Sequence, residues 1–330
     1  MSKKYNFDIT VTGDSYAGEL ALPYVTAAVK SGRSIATGAV DVLEGITDKA
    51  VIKNVGAGDV LVGASCGFTV GSNTTLTEQV LDLVDLKVNE EICRGTIMPT
   101  WVAAQGGMER NGELPIEFSD FLLQTVAGKA GESIENAIWQ SSDIFDLGFT
   151  QKYSDQAVGG TPDQAGADGS ACKDFVEHTF ADALAAADII DDMAGVIQTA
   201  VANVPGILDK PGCGFYVSNE TYWFYATALA TAGDNQGISN LGANQDLRDN
   251  LSFQGFPVYR CPGMLNDVII FTYPENLAVG TNLQTDFTEA QLIPTYQYDG
   301  SDNVRISMRF GLGVQTRVAG DGVYGATWWT

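Results

Sequence analysis

From Val304 to Gln315 the side chains alternate without a break. Val304, Ile306, Met308, Phe310, Leu312 and Val314 are apolar, and Arg305, Ser307, Arg309, Gly311, Gly313 and Gln315 between them are polar or small. Successive side chains of a β-strand point to opposite faces, so a two-residue period this long specifies a strand with one face against a core. No other run in the chain keeps the period for so long. Such a strand needs a second layer over its apolar face.

The clearest candidate for that layer is the stretch Pro115–Trp139. Phe118, Phe121, Leu122, Val126, Ala130, Ile134, Ala137 and Ile138 recur at the spacing of one helical stripe. Pro115 suits a first helical turn, and Glu117 and Asp120 complement the positive end of the helix dipole. At ~1.5 Å per residue the rod is roughly 35–40 Å long. It is read as a beam across a flat subunit rather than the centre of a globular core. Its stripe is expected to face Val304–Val314, with its acidic side toward solvent or an enclosed lumen.

The rest of the chain falls into shorter pieces. Phe7–Val11 reads as a strand and Leu20–Val29 as a short helix, together an arm that buries too little by itself. Val51–Val55 is a strand, Gly71-Ser72-Asn73 a turn, and Leu76–Cys93 contains the alternation Val84, Leu86, Val88; the region reads as a β-hairpin or extended two-stranded loop. Thr96–Glu113 is a connector, and Gly148–Asp174 a long surface loop or inserted flap. Ala181–Val204 reads as a helix stopped by Pro205-Gly206, Gly214–Val217 as a strand, and Glu220–Thr231 as a helix capped by Asn219. Thr231–Asn250 is a polar loop. Phe253–Tyr259 and Val268–Tyr273 are strands joined through Cys261-Pro262-Gly263, and Asn282–Leu292 is mixed.

The totals narrow the function. There are 330 residues, 45% hydrophobic, with 15 Phe and 37 Gly, enough for a sizeable core with many turns. Acids number 41 against 18 bases, for a net charge of −23. That excludes a protein that grips nucleic acid by neutralising phosphates. It allows one that surrounds nucleic acid, because an acidic wall repels a phosphate backbone and leaves it free to slide. No run of about 18 apolar residues is present, and no membrane span is expected. The beginning of the chain has no apolar signal core, so secretion through a cleaved signal is not expected.

Catalytic material is sparse. His178 is the sole histidine and lies between Glu177 and Thr179, away from any nucleophile motif. Gly56-Ala57-Gly58 lacks the third glycine of a dinucleotide fingerprint. Asp188, Asp191 and Asp192 share a helical face; a divalent-ion site is one reading, and a solvated acidic face the favoured one. Asp299-Gly300-Ser301-Asp302-Asn303 is similar to a calcium loop but lacks its downstream glutamate, and reads as a turn. Asn73-Thr74-Thr75 fits a glycosylation sequon without meaning in the absence of secretion. Tyr222, Trp223, Phe224 and Tyr225 offer a ligand pocket or a core helix face, the second preferred. Trp328 and Trp329 are expected to pack on another subunit or the chain's own core. Cys66, Cys93, Cys172, Cys213 and Cys261 form no Cys-x-x-Cys pair and read as buried reduced thiols. No catalytic, cofactor-binding or metal residue is assigned, and the chain is not expected to be an enzyme.

The order of elements then becomes informative: an arm, an extended β-loop, one long helix, a helix-rich middle, and a β-rich return ending in a long strand. Pro211–Leu229 (PGCGFYVSNETYWFYATAL), Phe253–Asp286 (FQGFPVYRCPGMLNDVIIFTYPENLAVGTNLQTD) and Asn303–Gln315 (NVRISMRFGLGVQ) carry the likeness. In order and over most of the chain, these resemble the major capsid protein of tailed double-stranded DNA phages, the Hong Kong 97-like fold.

The resemblance implies an α+β chain with residues 1–45 as N-terminal arm and 46–98 as the extended loop region, which overlaps a neighbouring subunit. It implies a peripheral domain over 99–185 with its spine helix at 115–141, an axial domain over 186–275, and a return to the peripheral domain over 276–330. The function implied is self-assembly, as pentamers and hexamers, into an icosahedral shell around packaged double-stranded DNA, without sequence-specific contact. The implied partners are other copies, a scaffolding protein, a portal and a decoration protein; no membrane is involved. The implied place is the virion capsid, assembled in the host cytoplasm. Two other readings stand beside it: an encapsulin-like compartment shell enclosing cargo enzymes, and a β-rich secreted binding protein.

Overall fold

The alternating stretch folds as the longest described strand, Asn303–Thr316. In the computed structural model the described residues are 14–17, 32–57, 61, 63, 66, 74–93, 116–140, 148–150, 176–231, 250–282, 289–295, 298, 300–301, 303–318 and 320–327. The strands in chain order are β1 (Asp14–Ala17), β2 (Asp41–Leu43), β3 (Lys49–Ala57), β4 (Thr74–Asp82), β5 (Val84–Cys93), β6 (Val176–Thr179) and β7 (Gly214–Val217). They continue with β8 (Ser252–Phe253), β9 (Phe256–Arg260), β10 (Val268–Thr272), β11 (Leu277–Thr281), β12 (Glu289–Pro294), β13 (Asn303–Thr316) and β14 (Val323–Ala326). The α-helices are α1 (Arg33–Ala36), α2 (Ile116–Trp139), α3 (Ile189–Asn203) and α4 (Asn219–Thr231).

Strand β13 organises the first sheet, whose order is β1-β12-β13-β11-β2, with β5 also paired to β13. It pairs antiparallel with β5 along 303–312, with β12 along 304–309 and with β11 along 312–316. Its apolar set, Val304 to Val314, is buried, while Arg305 and Arg309 are exposed on the other face. The period-two pattern is obeyed where one face is covered and the other open, as at Arg305 and Arg309; at Gly311 and Gly313 both faces are buried.

The covering layer is α2. Leu122, Val126, Ala130, Ile134 and Ile138 are buried in one cluster with Val304, Ile306, Met308, Phe310, Leu312 and Val314, as the spacing predicts; Leu123, Ala127 and Trp139, outside the expected stripe, are buried with them, and Ala137 is only partly buried. The same cluster takes in Tyr216, Ile270 and Tyr324 from a second sheet. The helix is therefore part of a core shared by two sheets, where the sequence reading placed its stripe against Val304–Val314 alone. Its described extent is 116–139, within the expected 115–141. Each fully buried Leu, Ile or Phe adds about 1.5–3 kcal/mol, so this stripe dominates the helix's stability.

The second sheet has the order β6-β14-β10-β7-β9-β8. Both of its faces are buried. Tyr216, Ile270 and Tyr324 face the α2 cluster, and Phe215, Val217, Ile269 and Phe271 pack with α3 and α4 in another. That is why Val268–Thr272 is a continuous apolar run rather than an alternating one. The third sheet is the two-stranded ribbon β3–β4, the expected hairpin.

The structure corrects the sequence reading at several points. Helix α3 begins at Ile189, not Ala181, although Ala181–Asp188 is rich in helix formers. The Leu184 N–H is taken by the Asp267 carboxylate at 3.0 Å, a tertiary bond that competes with the helix. Helix α4 is capped by Ser218, not Asn219: Ser218 Oγ accepts the Thr221 N–H at 3.2 Å. Phe253–Tyr259 is a tight hairpin, because Gln254 and Gly255 both have positive φ (49° and 89°). The chain does not close on β13; β14 follows and pairs with β10, across the boundary expected at 275/276. Strands β6, β11 and β12 had no strand reading in the sequence. Gly148–Thr150, expected at the start of a surface loop, is buried, and Phe149 packs 5.5 Å from the Trp139 ring. Phe7–Val11, Leu20–Val29, Gly71–Asn73, Thr96–Glu113 and most of Gly148–Asp174 and Thr231–Asn250 lie outside the described residues.

Two short connections join the sheets, residues 273–276 between β10 and β11 and residues 317–322 between β13 and β14, and buried Asn276 ties them together. Its Oδ1 accepts the Val318 N–H at 2.8 Å, its Nδ2 donates to the Asp321 carbonyl at 3.1 Å, and its own carbonyl accepts the Arg317 N–H at 3.0 Å. Thr272 Oγ1 donates to the same Asp321 carbonyl at 2.8 Å. Satisfying these buried polar groups together fixes how the sheets are joined.

Candidate assembly interface

The ribbon β3–β4 carries the most exposed patterned surface among the described residues. Directly opposed residues share a face, and the register gives four rungs on one side: Lys49–Asp82, Val51–Val80, Lys53–Glu78 and Val55–Leu76. The charged rungs are ion pairs of 3.0 and 3.3 Å. The apolar rungs stand in solvent, with Val51 at 52%, Val55 at 63%, Leu76 at 57% and Val80 at 44% exposure. Exposed ion pairs add little stability, so the ladder is a poor stability device and a well-ordered contact surface.

The ribbon is rooted in the first sheet by Leu81, which is fully buried. Leu81 Cδ2 would meet a Cβ placed on Gly280 at 2.4 Å and one on Gly313 at 3.1 Å. Those two glycines are register partners across β11 and β13, and their missing side chains form the slot that Leu81 fills. Gln315 Nε2 donates to the Val80 carbonyl at 2.8 Å, and the Leu83 N–H to the Asp48 carbonyl at 2.9 Å.

A groove of about 480 Å³ runs between α2 and β5, lined by apolar Leu86, Val88, Val126, Ala130, Ile134 and Phe310 together with polar residues such as Glu90, Lys129 and Gln140. The outward face of the first sheet is polar: Arg305 Nε donates to the Glu91 carboxylate at 2.9 Å, and Lys87 lies opposite Arg309.

The residues singled out for chemistry are scattered. His178 Nδ1 is 2.8 Å from Thr199 Oγ1, its ring packs on Phe180, and burial lowers its pKa; it fixes β6 to α3. Asp191 and Asp192 occupy the first turn of α3, with Asp188 before it. Burial, then repulsion from Asp188 and Asp191, pushes the Asp192 carboxyl up to about 6. Among the described residues no group of three or more His, Cys, Asp and Glu side chains is arranged to hold a metal ion. Of Asp299–Asn303, the described part turns between β12 and β13, with Gly300 at φ 71° and Thr295 Oγ1 2.6 Å from Ser301 Oγ. Tyr222 and Tyr225 are buried core residues, Trp223 is 44% exposed, and Arg260 lies over the Tyr222 ring. Gly56 and Ala57 end strand β3. Asn73, Cys172, Trp328 and Trp329 lie outside the described residues.

Sequence reasoning missed Glu135. The acidic side of α2 is expected toward solvent or an enclosed lumen; Glu132 is exposed, but Glu135 is only 4% exposed. Its Oε2 accepts the Ser34 N–H at 3.1 Å, and its Oε1 accepts the Ser34 hydroxyl and Trp139 Nε1–H, the latter at 3.2 Å. Trp139 Nε1 also donates to Ser34 Oγ at 2.8 Å. Around this knot the backbone closes tightly: a Cβ on Gly32 would lie 2.7 Å from Glu135 Oε2, and one on Gly263 would lie 2.2 Å from the Glu135 carbonyl. The only sequence signal was an acid on an otherwise apolar stripe, one position after Ile134.

No family model and no curated protein matches the chain in sequence. Solved structures do match in fold. A chain in the procapsid of satellite phage P4 with its size-determination protein aligns with a TM-score of 0.56 at 13% identity, over 99% of this chain and 93% of that one. The capsid of a native GTA particle gives 0.54 at 14% identity, over 99% and 95%. The capsid of Myoviridae phage XM1 gives 0.54 at 9% identity, over 98% and 96%. With its helices, its two mixed sheets and its ribbon, the chain has the α+β Hong Kong 97-like fold found in phage capsid proteins.

Proposed function

We propose that this chain is a major capsid protein, a structural protein and not an enzyme, whose copies assemble as pentamers and hexamers into an icosahedral shell around packaged double-stranded DNA. The observation that carries the reading is the fold likeness to phage capsid chains over nearly the whole length of both chains. The ribbon supports it: exposed apolar rungs held in register by ion pairs are suited to lie on a neighbouring copy. The acidic balance, −23 overall, supports a wall that encloses DNA without gripping it.

In this reading the first sheet and α2 belong to the peripheral domain and the second sheet with α3 and α4 to the axial domain. The arm and ribbon reach neighbours. A separate scaffolding protein, a portal and a decoration protein complete the partners, and the shell forms in the host cytoplasm before becoming the virion capsid.

The test is assembly. The full chain, expressed with its scaffolding partner, should form closed particles of megadalton size by size exclusion and negative-stain microscopy. A compact monomer or dimer under all assembly conditions would overturn the proposal. Particles that form and retain a host enzyme rather than DNA would favour a compartment shell.

A further inference from the structure

We infer that β5 offers its unpaired edge to Phe7–Val11 of a second copy, which adds there as an antiparallel strand and sets Phe7, Ile9 and Val11 into the groove between β5 and α2. The inference rests on the reading that copies of the chain assemble, and it names one contact through which they do so.

Strand β5 is ten residues long and, among the described residues, pairs only with β13. Its other edge presents a row of backbone N–H and C=O groups, a template for a further strand. The apolar cover on that side is also incomplete. Val84, Leu86, Val88 and Ile92 share one face of β5 with their register partners Leu312, Phe310, Met308 and Val304 on β13. The partners are buried against α2, but Leu86, Val88 and Ile92 are half-buried and Val84 is 39% exposed. The groove runs beside Leu86 and Val88. An extended segment laid along β5 completes the sheet with its backbone and the core with every second side chain.

The opposite face of β5 fits an acid. Lys87 is exposed, stands opposite Arg309, and makes no ion pair among the described residues. Like charges directly opposed on a sheet are destabilising, and a carboxylate beside them offsets the repulsion.

Phe7–Val11 carries the matching pattern, with Phe7, Ile9 and Val11 on one face and Asp8 and Thr10 on the other. Antiparallel, with Phe7 opposite Val88, Ile9 opposite Leu86 and Val11 opposite Val84, it brings Asp8 opposite Lys87. A parallel strand that paired Asp8 with Lys87 would set Val11 beside Glu90, an acid on the α2 side, so the antiparallel register is preferred.

The strand has to come from another copy. Asp14, Leu292, Ile306 and Glu90 are successive register partners across β1, β12, β13 and β5. With strands ~4.8 Å apart, a strand beyond β5 lies about 19 Å from β1. Val11 is three Cα steps from Asp14, a span of at most ~11 Å. Donor and acceptor are therefore different surfaces on two copies, a head-to-tail contact that builds rings or open arrays.

Photocrosslinking of the full chain tests the contact. Phe7 is replaced by benzoylphenylalanine, and isotopically heavy and light copies are mixed before assembly. Crosslinks between heavy and light peptides should join position 7 to residues 84–93 or to residues 126–137 of α2. Asp8→Lys and Lys87→Glu should each lower particle yield about fivefold or more, and the two together should restore it to within about twofold of the wild type. Particles that form with position 7 crosslinked only within its own copy, or only to other parts of a second copy, would overturn the inference and leave the assembly reading standing. A double variant no better than the singles would overturn the pairing of Asp8 with Lys87. A chain that stays monomeric in every mixture would overturn the assembly reading and this contact with it.

Discussion

Gly280 and Gly313 lie directly opposite each other across β11 and β13, and the side chain of Leu81 occupies the space between them and the ribbon. The pair explains why the alternation has glycine at 313 rather than a larger polar residue; at Gly311 it is Asn282, 3.1 Å from where a Cβ would stand, that takes the space. A Cβ on Gly313 would lie 2.2 Å from the backbone carbonyl oxygen of Asp82, which has no freedom to swing aside. Gly313→Ala should therefore destabilise the folded subunit by about 1–3 kcal/mol through overpacking. Leu81→Ala should cost about 2–5 kcal/mol by emptying the slot. Urea unfolding of the unassembled subunit reads both, and an unchanged midpoint in either would contradict the anchor.

The exposed face of the ribbon separates folding from assembly. Val55 is 63% exposed, so Val55→Asp should leave subunit stability within about 0.5 kcal/mol of the wild type. If the ladder lies on a neighbouring copy, the same substitution buries a charge at that contact and should lower the yield of closed particles at least tenfold (about 1.4 kcal/mol per contact). Sedimentation of assembly reactions at matched subunit concentration gives the result, and equal yields would remove the ribbon face from the interface.

Asp192 offers a pH test with a defined sign. Burial and its acidic neighbours hold its carboxyl near 6 in the folded protein, above the ordinary aspartate value of 3.8. The folded state then binds the proton more tightly than the unfolded chain. The ionised group opposes folding above about pH 6, and that opposition fades as pH falls through 6 toward 3.8. Asp192→Asn should raise the melting temperature at pH 7.5, with the gain shrinking steadily toward pH 4. A gain independent of pH would mean that the charge is not its source.

The described thiols divide by burial. Cys213 and Cys261 are buried as expected, but Cys66 and Cys93 are exposed, a correction to the reading of all five as buried thiols. Burial pushes the Cys213 thiol up to about 12 and Cys261 further, so neither forms a thiolate near neutrality. A brief alkylation of the native protein at pH 7.5, followed by peptide mass mapping, should mark Cys66 and Cys93 and spare the other two. Rapid labelling of Cys261 would show that the Glu135 region opens readily.

Much of the frame is legible in the spacing of apolar residues. The alternation at Val304–Val314 and the stripe at Leu122–Ile138 meet each other as expected, because a period of two or of 3.6 is a direct record of which face is covered. The ribbon is legible through the apolar runs at Val51–Val55 and from Leu76 onward. Local reasoning fails where a distant partner intervenes. The Ala-rich run at 181–188 promises helix, but Asp267 takes the Leu184 N–H. Asn219 has the chemistry of a cap, but the neighbouring Ser218 accepts the N–H instead. Strands β11 and β14, buried at every described position, have no alternation to betray them.

The candidate surfaces divide the same way. From the sequence by itself came the strand, the long helix, the hairpin, the acidic balance and the sparse catalytic chemistry, because each is written in nearest-neighbour spacing or in composition. Only the tertiary structure decided that Gly280 and Gly313 face each other, that Asn276 ties the two connections between sheets, and that Glu135 turns inward onto Ser34 and Trp139. Those relationships join residues up to 101 positions apart. Their physics is that of desolvated polar groups finding partners and of space left by absent side chains, and neither has a period that a linear sequence can display.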